Sequence, residues 1–466
     1  MVVASTAIAP TRRHRPRRAG AALLAAASLV AACSSGGGDG ERAATTTAGA
    51  AAVRCPDGST VPRSAATVAP APVDPRPSGP SGRDGALDVG TLLPRTGDLA
   101  FLGPAALAGV ELAVADLAAA GGVLGQPVGL RHGDSAEGVP GTAGAEVARL
   151  LADGADVIVG PLSSGAAANV LDAVVAADAV LVSPASASSG LDALDRTGRL
   201  FRTGPTEALQ GRALGTLALS DGHETVAIAA RADDHGRAVA DALTARLEEG
   251  GASVVARVDY DPSDPDLGDA VADRVSGPAD AIVLVGLAET ALVLDALVEG
   301  GDGPRDRAVY GTDGNLGERL ADLVADEEVL ACFRGLLPVD RPGASFTDRL
   351  RQHSPSLADA GAAALDLGAE SYDATVAAAL AAATAGSDGG DAIAGAMAEV
   401  TSGGTTCHRP RPCLELIAGG TDVSYVGQTG RLALGDDGNR TEAGLTEVAF
   451  DAGGHLTRLG TRRARG

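Results

Sequence analysis

"ADVIVGPLSSGAAANVLDAVV", Ala155 to Val175, is the stretch whose reading decides the fold. Val157, Ile158 and Val159 are apolar and β-branched, the composition of a strand buried on both faces. Gly160-Pro161 stops that strand, two serines and a glycine follow, and an alanine-rich run with helical spacing begins. Strand, polar turn and helix make the first half of a βαβ unit. In open α/β sheets ligands bind outside the carboxyl ends of the strands, which is where this turn falls. A helix starting at Ser163 or Ser164 offers first-turn N–H groups and a positive dipole end. Gly165 lets a ligand approach the backbone, and the Ser164 hydroxyl adds a hydrogen bond. The turn reads as one jaw for a carboxylate or other small anion. The competing reading is that Ser163 merely caps the helix.

The same beat extends in both directions. "LDVGTLL", "QPVGLRHGD", "ADVIVG" and "AVLVSP" alternate with amphipathic helical runs between Leu87 and Gly204. After Pro205, helices over 206–221, 236–250, 267–275 and 288–300 alternate with "TVAIAA", "ASVVARVDY", "DAIVLVG" and "RAVYGTDG". Short apolar strands between amphipathic helices predict parallel sheets covered on both faces. Two such series predict an α/β protein of two doubly wound lobes. Helices are expected over 344–352, 358–386 and 390–401, followed by an antiparallel hairpin tail. If the helices return to one lobe and the tail to the other, lobe 1 is 87–205 plus 334–427 and lobe 2 is 206–333 plus 428–466, with three crossings between them.

Two further strand ends carry polar groups. "LVSPASASSGL" places Pro184 and a run of small hydroxyl residues after one strand. "VYGTDGN" places Asp313 just past another, as a counter-charge for an ammonium or as a turn residue before a helix over 315–324. Carboxylate acceptor, neutral polar shelf and carboxylate donor together suit a zwitterion.

Composition narrows the partners. Of 466 residues 45% are apolar but only 2% aromatic, so the core must be Ala, Val and Leu packed closely. All 37 basic residues are Arg, and the net charge is −23. Nucleic acid and anionic lipid would repel such a body.

The N-terminus reads as an address and an anchor. "TRRHRPRRAGAALLAAASLVAAC", residues 11–33, is a basic region followed by an apolar run of secretory length. Val30-Ala31-Ala32-Cys33 resembles a bacterial lipobox, which makes 1–33 a lipoprotein signal and Cys33 the lipidated residue. Removing the five arginines before Cys33 takes the charge to −23 − 5 = −28. Residues 34–86, rich in Gly, Ala, Thr, Pro and Ser, read as a disordered tether. The protein is therefore expected on the outer face of the cell membrane, where disulfides form. Four Cys remain, allowing three pairings. Cys407 and Cys413 flank two prolines and suit a local bridge, leaving Cys55 with Cys332.

The markers Thr96-Gly97, Gly103 and Ala119-Gly121-Gly122-Val123-Leu124-Gly125, then "VIVGPLSSG", "LVSPASAS", "ADDHGRAVADAL", "VYGTDG" and "AESYDATVAAAL" in that order, resemble type I periplasmic binding proteins of the branched-chain amino acid transport class. The resemblance covers about 87–450. It implies a monomeric receptor with a three-crossover hinge, a cleft that closes on a small molecule, and ABC permease subunits as partners. Position by position it implies that Ser164 and Gly165 take the ligand carboxylate and that the Ala185 carbonyl and Asp313 take the ammonium. His235 stands where Tyr is frequent, and Phe101 and Leu102 lie in a loop lining the side-chain pocket. Ala187 replaces a hydroxyl or amide residue, for which Ser186 or Ser188 compensates, and no aromatic stands near Gly286-Leu287. These departures leave amides, urea and aromatic acids open as ligands.

Other readings fare worse. No βα turn carries G-x-G-x-x-G, and "GPLSSG" lacks the spacing of a G-x-S-x-G elbow, so no enzyme and no cofactor is expected. Neither the Cys spacing nor the acidic loop Asp259 to Asp269 fits a zinc or calcium site. The alternative retained is a binding protein that reports occupancy to a membrane receptor.

Overall fold

The computed structural model describes residues 53–56, 60–61 and 84–465, apart from 98, 138, 140, 339–342, 359–364 and 366. The signal, the lipobox and Cys33 lie outside the described residues. The first described elements, β1 (Val53–Arg54) and β2 (Thr60–Val61), pair antiparallel. Cys55 between them is buried, 5.4 Å from Cys332 by Cα and at disulfide distance from it. This corrects the reading of 34–86 as tether throughout: Val53, Thr60 and Val61 are β-branched and pair, and Cys55 holds them to the body.

The body then follows the alternating beat. The first series is β3 (Asp88–Leu93), α1 (Gly103–Ala120), β4 (Gly129–Asp134), α2 (Thr142–Ala152), β5 (Val157–Val159), α3 (Ser164–Ala176), β6 (Val180–Ser183), α4 (Gly190–Leu194) and β7 (Leu200–Arg202). Its five strands form a parallel sheet in the order β4-β3-β5-β6-β7. The second series is α5 (Glu207–Ser220), β8 (Thr225–Arg231), α6 (Asp234–Glu249), β9 (Ser253–Tyr260), α7 (Leu267–Val275), β10 (Ala281–Val285), α8 (Thr290–Gly300), β11 (Ala308–Gly311) and β12 (Arg334–Leu337). The chain returns through α9 (Ala344–His353), α10 (Gly368–Ala385), α11 (Gly390–Thr401), β13 (Thr405–Cys407), α12 (Pro410–Ala418), β14 (Val423–Gly427) and β15 (Gly430–Arg431). It ends in β16 (Glu442–Phe450) and β17 (Leu456–Arg465). The second sheet has the order β17-β16-β12-β11-β10-β8-β9, and β16 and β17 join it antiparallel.

Two expected boundaries move. β12 pairs parallel with β11 and antiparallel with β16, so 334–337 belongs to the second sheet and not to lobe 1. β15 pairs with β14, so 430–431 stays with the elements that precede it. In both cases strand pairing continues past the point where the sequence pattern changes. Residues 315–324 hold 3-10 turns, Asp313–Asn315 and Glu318–Asp322, in place of the expected α-helix. The helix expected over 358–386 begins only at Gly368.

Helices cover both faces of each sheet. α1 and α10 pack on one face of the first sheet, and α2 and α3 on the other. α10 is buried almost all round, as an apolar helix at the centre of a core should be. The small-residue composition has a geometric use here: a Cβ on Gly109 of α1 would lie 2.0 Å from the Gly368 carbonyl oxygen at the head of α10. Two helices approach that closely only through glycine. Asp373, fully buried in α10, accepts Tyr425 OH at 2.9 Å, Gln428 N–H at 2.9 Å, and both the N–H and hydroxyl of Thr429 at 2.8 Å. It fixes the β14–β15 turn to the first core. Cys407 of β13 and Cys413 of α12 stand at disulfide distance from each other, Cα–Cα 5.4 Å.

The chain passes between the sheets after β7, after β12 and after β15. Arg440 ties the first and third passages together. It is 5% exposed. Its guanidinium donates to the carbonyls of Thr203 at 2.9 Å, Thr429 at 3.2 Å, Arg431 at 2.7 Å and Glu442 at 3.1 Å. Arg440→Ala should therefore cost roughly 3 kcal/mol in urea unfolding, because several buried carbonyls lose their donor at once. A change below about 1 kcal/mol would show that water takes over these carbonyls.

A second buried polar group sets a pH dependence. Asp156 accepts the Asp88 N–H at 2.8 Å and is 7% exposed. Burial pushes its carboxyl up to about 7, against the pull of the Asp88 N–H, with Asp388 and Asp88 adding repulsion. The folded value lies above the ordinary carboxylate value, so the native state holds the extra proton. Its stabilising contribution is complete below about pH 4 and is lost as pH rises through about 7. Asp156→Asn keeps the acceptor and removes the titration. The melting temperature of the wild type should fall from pH 5 to pH 8 more steeply than that of the variant; parallel curves would rule this group out.

Candidate ligand-binding site

The carboxyl ends of both parallel sheets border one cavity. On the first sheet, β5 ends at Val159 and the chain turns through Gly160 and a cis bond to Pro161. Gly160 has φ +107°, and a Cβ there would fall 2.1 Å from the Leu92 carbonyl oxygen. Only glycine fits this turn. Ser163 follows as N-cap of α3, its Oγ accepting the Ala166 N–H at 3.2 Å. Its hydroxyl also donates to Glu137. The Glu137 carboxylate, buried in turn, accepts the N–H groups of Leu162 and Ser163 at 3.2 Å each. The protein thus supplies its own anion to part of this helix start, and Ser163 is a cap.

Ser164 is different. Its Oγ accepts the Ser188 N–H at 3.1 Å, which leaves the hydroxyl proton to be donated. Gly165, one residue on, keeps a first-turn N–H without an intrahelical partner. The loop after β6 is braced by Ser183, which donates to the Pro161 carbonyl at 2.6 Å and lies 2.7 Å from the Ser186 hydroxyl.

On the second sheet β11 delivers Asp313. Asn315 holds that turn, accepting the Thr312 N–H at 2.8 Å and donating to the Leu284 carbonyl at 3.0 Å. Asp313 Oδ1 is buried and has no hydrogen-bond partner. Burial raises the Asp313 pKa, and His235 and the Gly314 N–H pull it back down. His235, near the start of α6, sits with Nδ1 3.0 Å from Glu207 Oε1. Burial works against its charge, but Glu207 and nearby Asp313 outweigh that and hold its pKa above the ordinary value. Glu207 also reaches the first sheet: its Oε2 accepts the Ser189 N–H at 3.3 Å, and its N–H donates to the Ala187 carbonyl at 3.0 Å.

The cavity between these walls has a volume of about 700 Å³. Of the expected site residues, Ser164, Gly165, Ala185, Ala187, His235 and Asp313 line it together. Two expectations are corrected. Ser186 is 1% exposed and spends its hydroxyl on Ser183 and the carbonyls of Pro161 and Leu162, so it does not compensate for Ala187. Ser188 does line the cavity. Phe101 is 70% exposed and absent from the lining, which takes Leu102 instead. Sequence reading missed Glu207 and Gln210, both in the wall. Glu207 looks from sequence like an ordinary first-turn acid of α5, and only its proximity to His235 marks it. Glu137, 25 residues or more from its partners, left no local signal.

The matching family model, described as periplasmic binding protein, spans residues 86–409. The chain belongs to the periplasmic binding protein family. Among curated relatives, the Leu/Ile/Val-binding protein homolog 3 of Brucella melitensis is 26% identical over 276 residues, covering 56% of this chain and 74% of that one. The chemotactic signal transduction system substrate-binding protein BasB of Halobacterium salinarum is 28% identical over 359 residues, covering 74% and 83%. Among solved structures, the branched-chain amino acid transporter substrate binding protein LivJ of Streptococcus pneumoniae, in complex with isoleucine, aligns with TM-score 0.61 at 20% identity over 82% of this chain and 100% of that one. A solute binding protein of an ABC transporter from Rhodopseudomonas palustris, in complex with p-hydroxybenzoic acid, aligns with TM-score 0.63 at 16% identity over 82% and 98%. These structural likenesses establish the type I periplasmic binding protein fold. The family match ends before β14 to β17, so in this periplasmic binding protein the two strands that complete the second sheet lie beyond it.

Proposed function

We propose that this periplasmic binding protein is the extracytoplasmic receptor of an ABC importer, closing its two lobes on a small amino-bearing ligand and presenting it to permease subunits. The observation that carries the reading is the pairing of unlike walls across one cavity. Ser164 and Gly165 offer donors from the first sheet, and Asp313 offers a buried, unpartnered acceptor from the second. A ligand with both a donor and an acceptor end spans the cavity only when the walls are close. Such a ligand stabilises the closed form by the difference in its contacts between the two forms, which is the whole of what is needed to shift the population. Relatives whose names include Leu/Ile/Val-binding support an amino acid or a close analogue as cargo.

Ligand binding is tested by thermal shift of the purified protein against amino acids, amides, amines and aromatic acids. A true ligand at about one hundred times its Kd stabilises by about 2.7 kcal/mol. Ser164→Ala should weaken that ligand by about 1 kcal/mol, roughly fivefold in Kd, with a small loss of free-protein stability from the Ser188 N–H that loses its acceptor. Absence of any stabilising small molecule would sink the receptor reading.

The anchor is a separate part of the proposal. Cys33, preceded by Val30-Ala31-Ala32, is the lipid-bearing residue that holds the protein on the outer face of the membrane. Cys33→Ser should move the mature protein from the membrane fraction to the soluble fraction on cell fractionation. An unchanged membrane fraction would retire the lipid anchor without touching the ligand site.

A further inference from the structure

We infer that the ligand of this cavity is a small organic cation, a primary amine of net charge +1 or more, and not a neutral amino acid or an aromatic acid. The inference rests on the receptor reading above and concerns the ligand of that same site.

The first observation is the charge of the lining. Glu207, Asp234 and Asp313 all border the cavity, and His235 is the sole basic side chain among the described lining residues. The chain has no lysine, and no arginine is among the described lining residues. His235 is already committed, its Nδ1 held 3.0 Å from Glu207 Oε1. His235 therefore stands against two carboxylates, Glu207 and Asp313, and cannot neutralise both, while Asp234 adds a further negative charge at an exposed position. A neutral zwitterion can answer Asp313 with its ammonium, but it brings a carboxylate with it and leaves the net negative charge of the described lining unchanged.

The second observation is the unpartnered oxygen. Asp313 Oδ1 is buried and accepts no hydrogen bond from the protein. A buried acceptor left this way is costly unless something donates to it, and an ammonium is the donor that also cancels its charge.

The third observation is on the opposite wall. A carboxylate at the start of α3 would draw on helix-terminal N–H groups and on the dipole. Glu137 already accepts the Leu162 and Ser163 N–H groups at 3.2 Å and the Ser163 hydroxyl. That internal anion lies at the helix start where the dipole would otherwise favour a ligand carboxylate. What remains is the Ser164 hydroxyl and the first-turn N–H groups of Ser164 and Gly165, a neutral shelf. Such a shelf can hold the carboxylate of an amino acid whose overall charge is positive, or a neutral part of a diamine, but it offers a lone anion such as benzoate no counter-charge.

The test is isothermal titration of the purified full chain at pH 7 with ornithine, putrescine, leucine and benzoate, at low and moderate salt. Ornithine or putrescine should bind at least thirtyfold more tightly than leucine, with affinity falling as salt rises, and benzoate should give no heat. Tighter binding of ornithine than of putrescine assigns the Ser164 shelf to a carboxylate, and the reverse order assigns it to a neutral segment; both are amines of net positive charge and both support the inference. Asp313→Asn should lower the affinity for the amine at least tenfold. Because that variant can fail to fold, the ranking of the four probes on the wild type stands as a test by itself. Leucine or benzoate binding as tightly as the amines would overturn the charge inference and leave the receptor reading intact. If none of the probes binds and the wider thermal-shift panel is also silent, both fall.

Discussion

The Arg440 guanidinium is the interaction on which the arrangement of this molecule depends. Two parallel sheets can each be built from local βαβ units, but nothing local makes their carboxyl ends border a common space. That relation comes from the passages between them. Arg440 reaches the Thr203 carbonyl on the first passage and the carbonyls of Thr429, Arg431 and Glu442 on or beside the third. Arg202 adds a second tie, Nε to Asn439 Oδ1 at 2.6 Å, with its own N–H donating to the Gly438 carbonyl at 2.9 Å. A planar cation with five donors suits a place where strands cross and several carbonyls converge. Hydrogen bonds within the passages hold them side by side.

Charge is distributed across the cavity with the same economy. On the first wall Glu137 satisfies backbone donors that would otherwise wait for a ligand. On the second wall Glu207 is satisfied by His235 and by the Ser189 N–H, and so bridges the two lobes. Asp313 is the exception, with an oxygen left open. The electrostatic demand of the site is concentrated on one carboxylate. Its burial raises the cost of leaving it charged and alone, and by the same amount raises the reward for bringing it a cation. The negative charge of the whole chain, −23, adds a long-range attraction for cations that salt would screen.

Much of the fold was legible in the sequence because its signals are local. Apolar runs such as Val157 to Val159 and Ala281 to Val285 mark buried parallel strands, and helices such as α6, α7 and α11 fall within two residues of their expected spans. What escaped depends on pairing between distant segments. Arg334 to Leu337 reads equally well as the end of one lobe or the start of the next until β16 is seen beside it. Val53 and Val61 lie in a stretch dominated by Gly, Ala, Thr and Pro, and only Cys332, 277 residues after Cys55, makes sense of them. In the site the hydroxyls were visible at strand ends, but their division of labour was not. Ser163 and Ser164 are adjacent and chemically identical. One faces Glu137 and caps a helix; the other faces Ser188 and the cavity. The family resemblance implied Phe101 and Leu102 together in the loop lining the pocket, yet the loop turns Phe101 outward and only Leu102 inward.

The distribution of charge also constrains how closure can respond to a ligand. If the two walls draw together as proposed, Asp313 Oδ1 stays buried without a donor, and the closed form carries the desolvation of that group unless a ligand supplies one. In the proposed scheme a ligand that brings an ammonium offsets that desolvation and adds a charge-assisted hydrogen bond, and it favours the form that makes both contacts. The coupling between binding and closure is then the sum of two contributions at a single atom, Asp313 Oδ1. A ligand lacking the cation could fill the same volume and touch the same Leu102, Leu162 and Leu191 surfaces, yet it would leave the penalty in place. Shape alone would bind it to either form with little preference, and a ligand without preference shifts no population. In the proposed receptor, discrimination by charge would then act twice, once on affinity and once on whether the bound protein changes form.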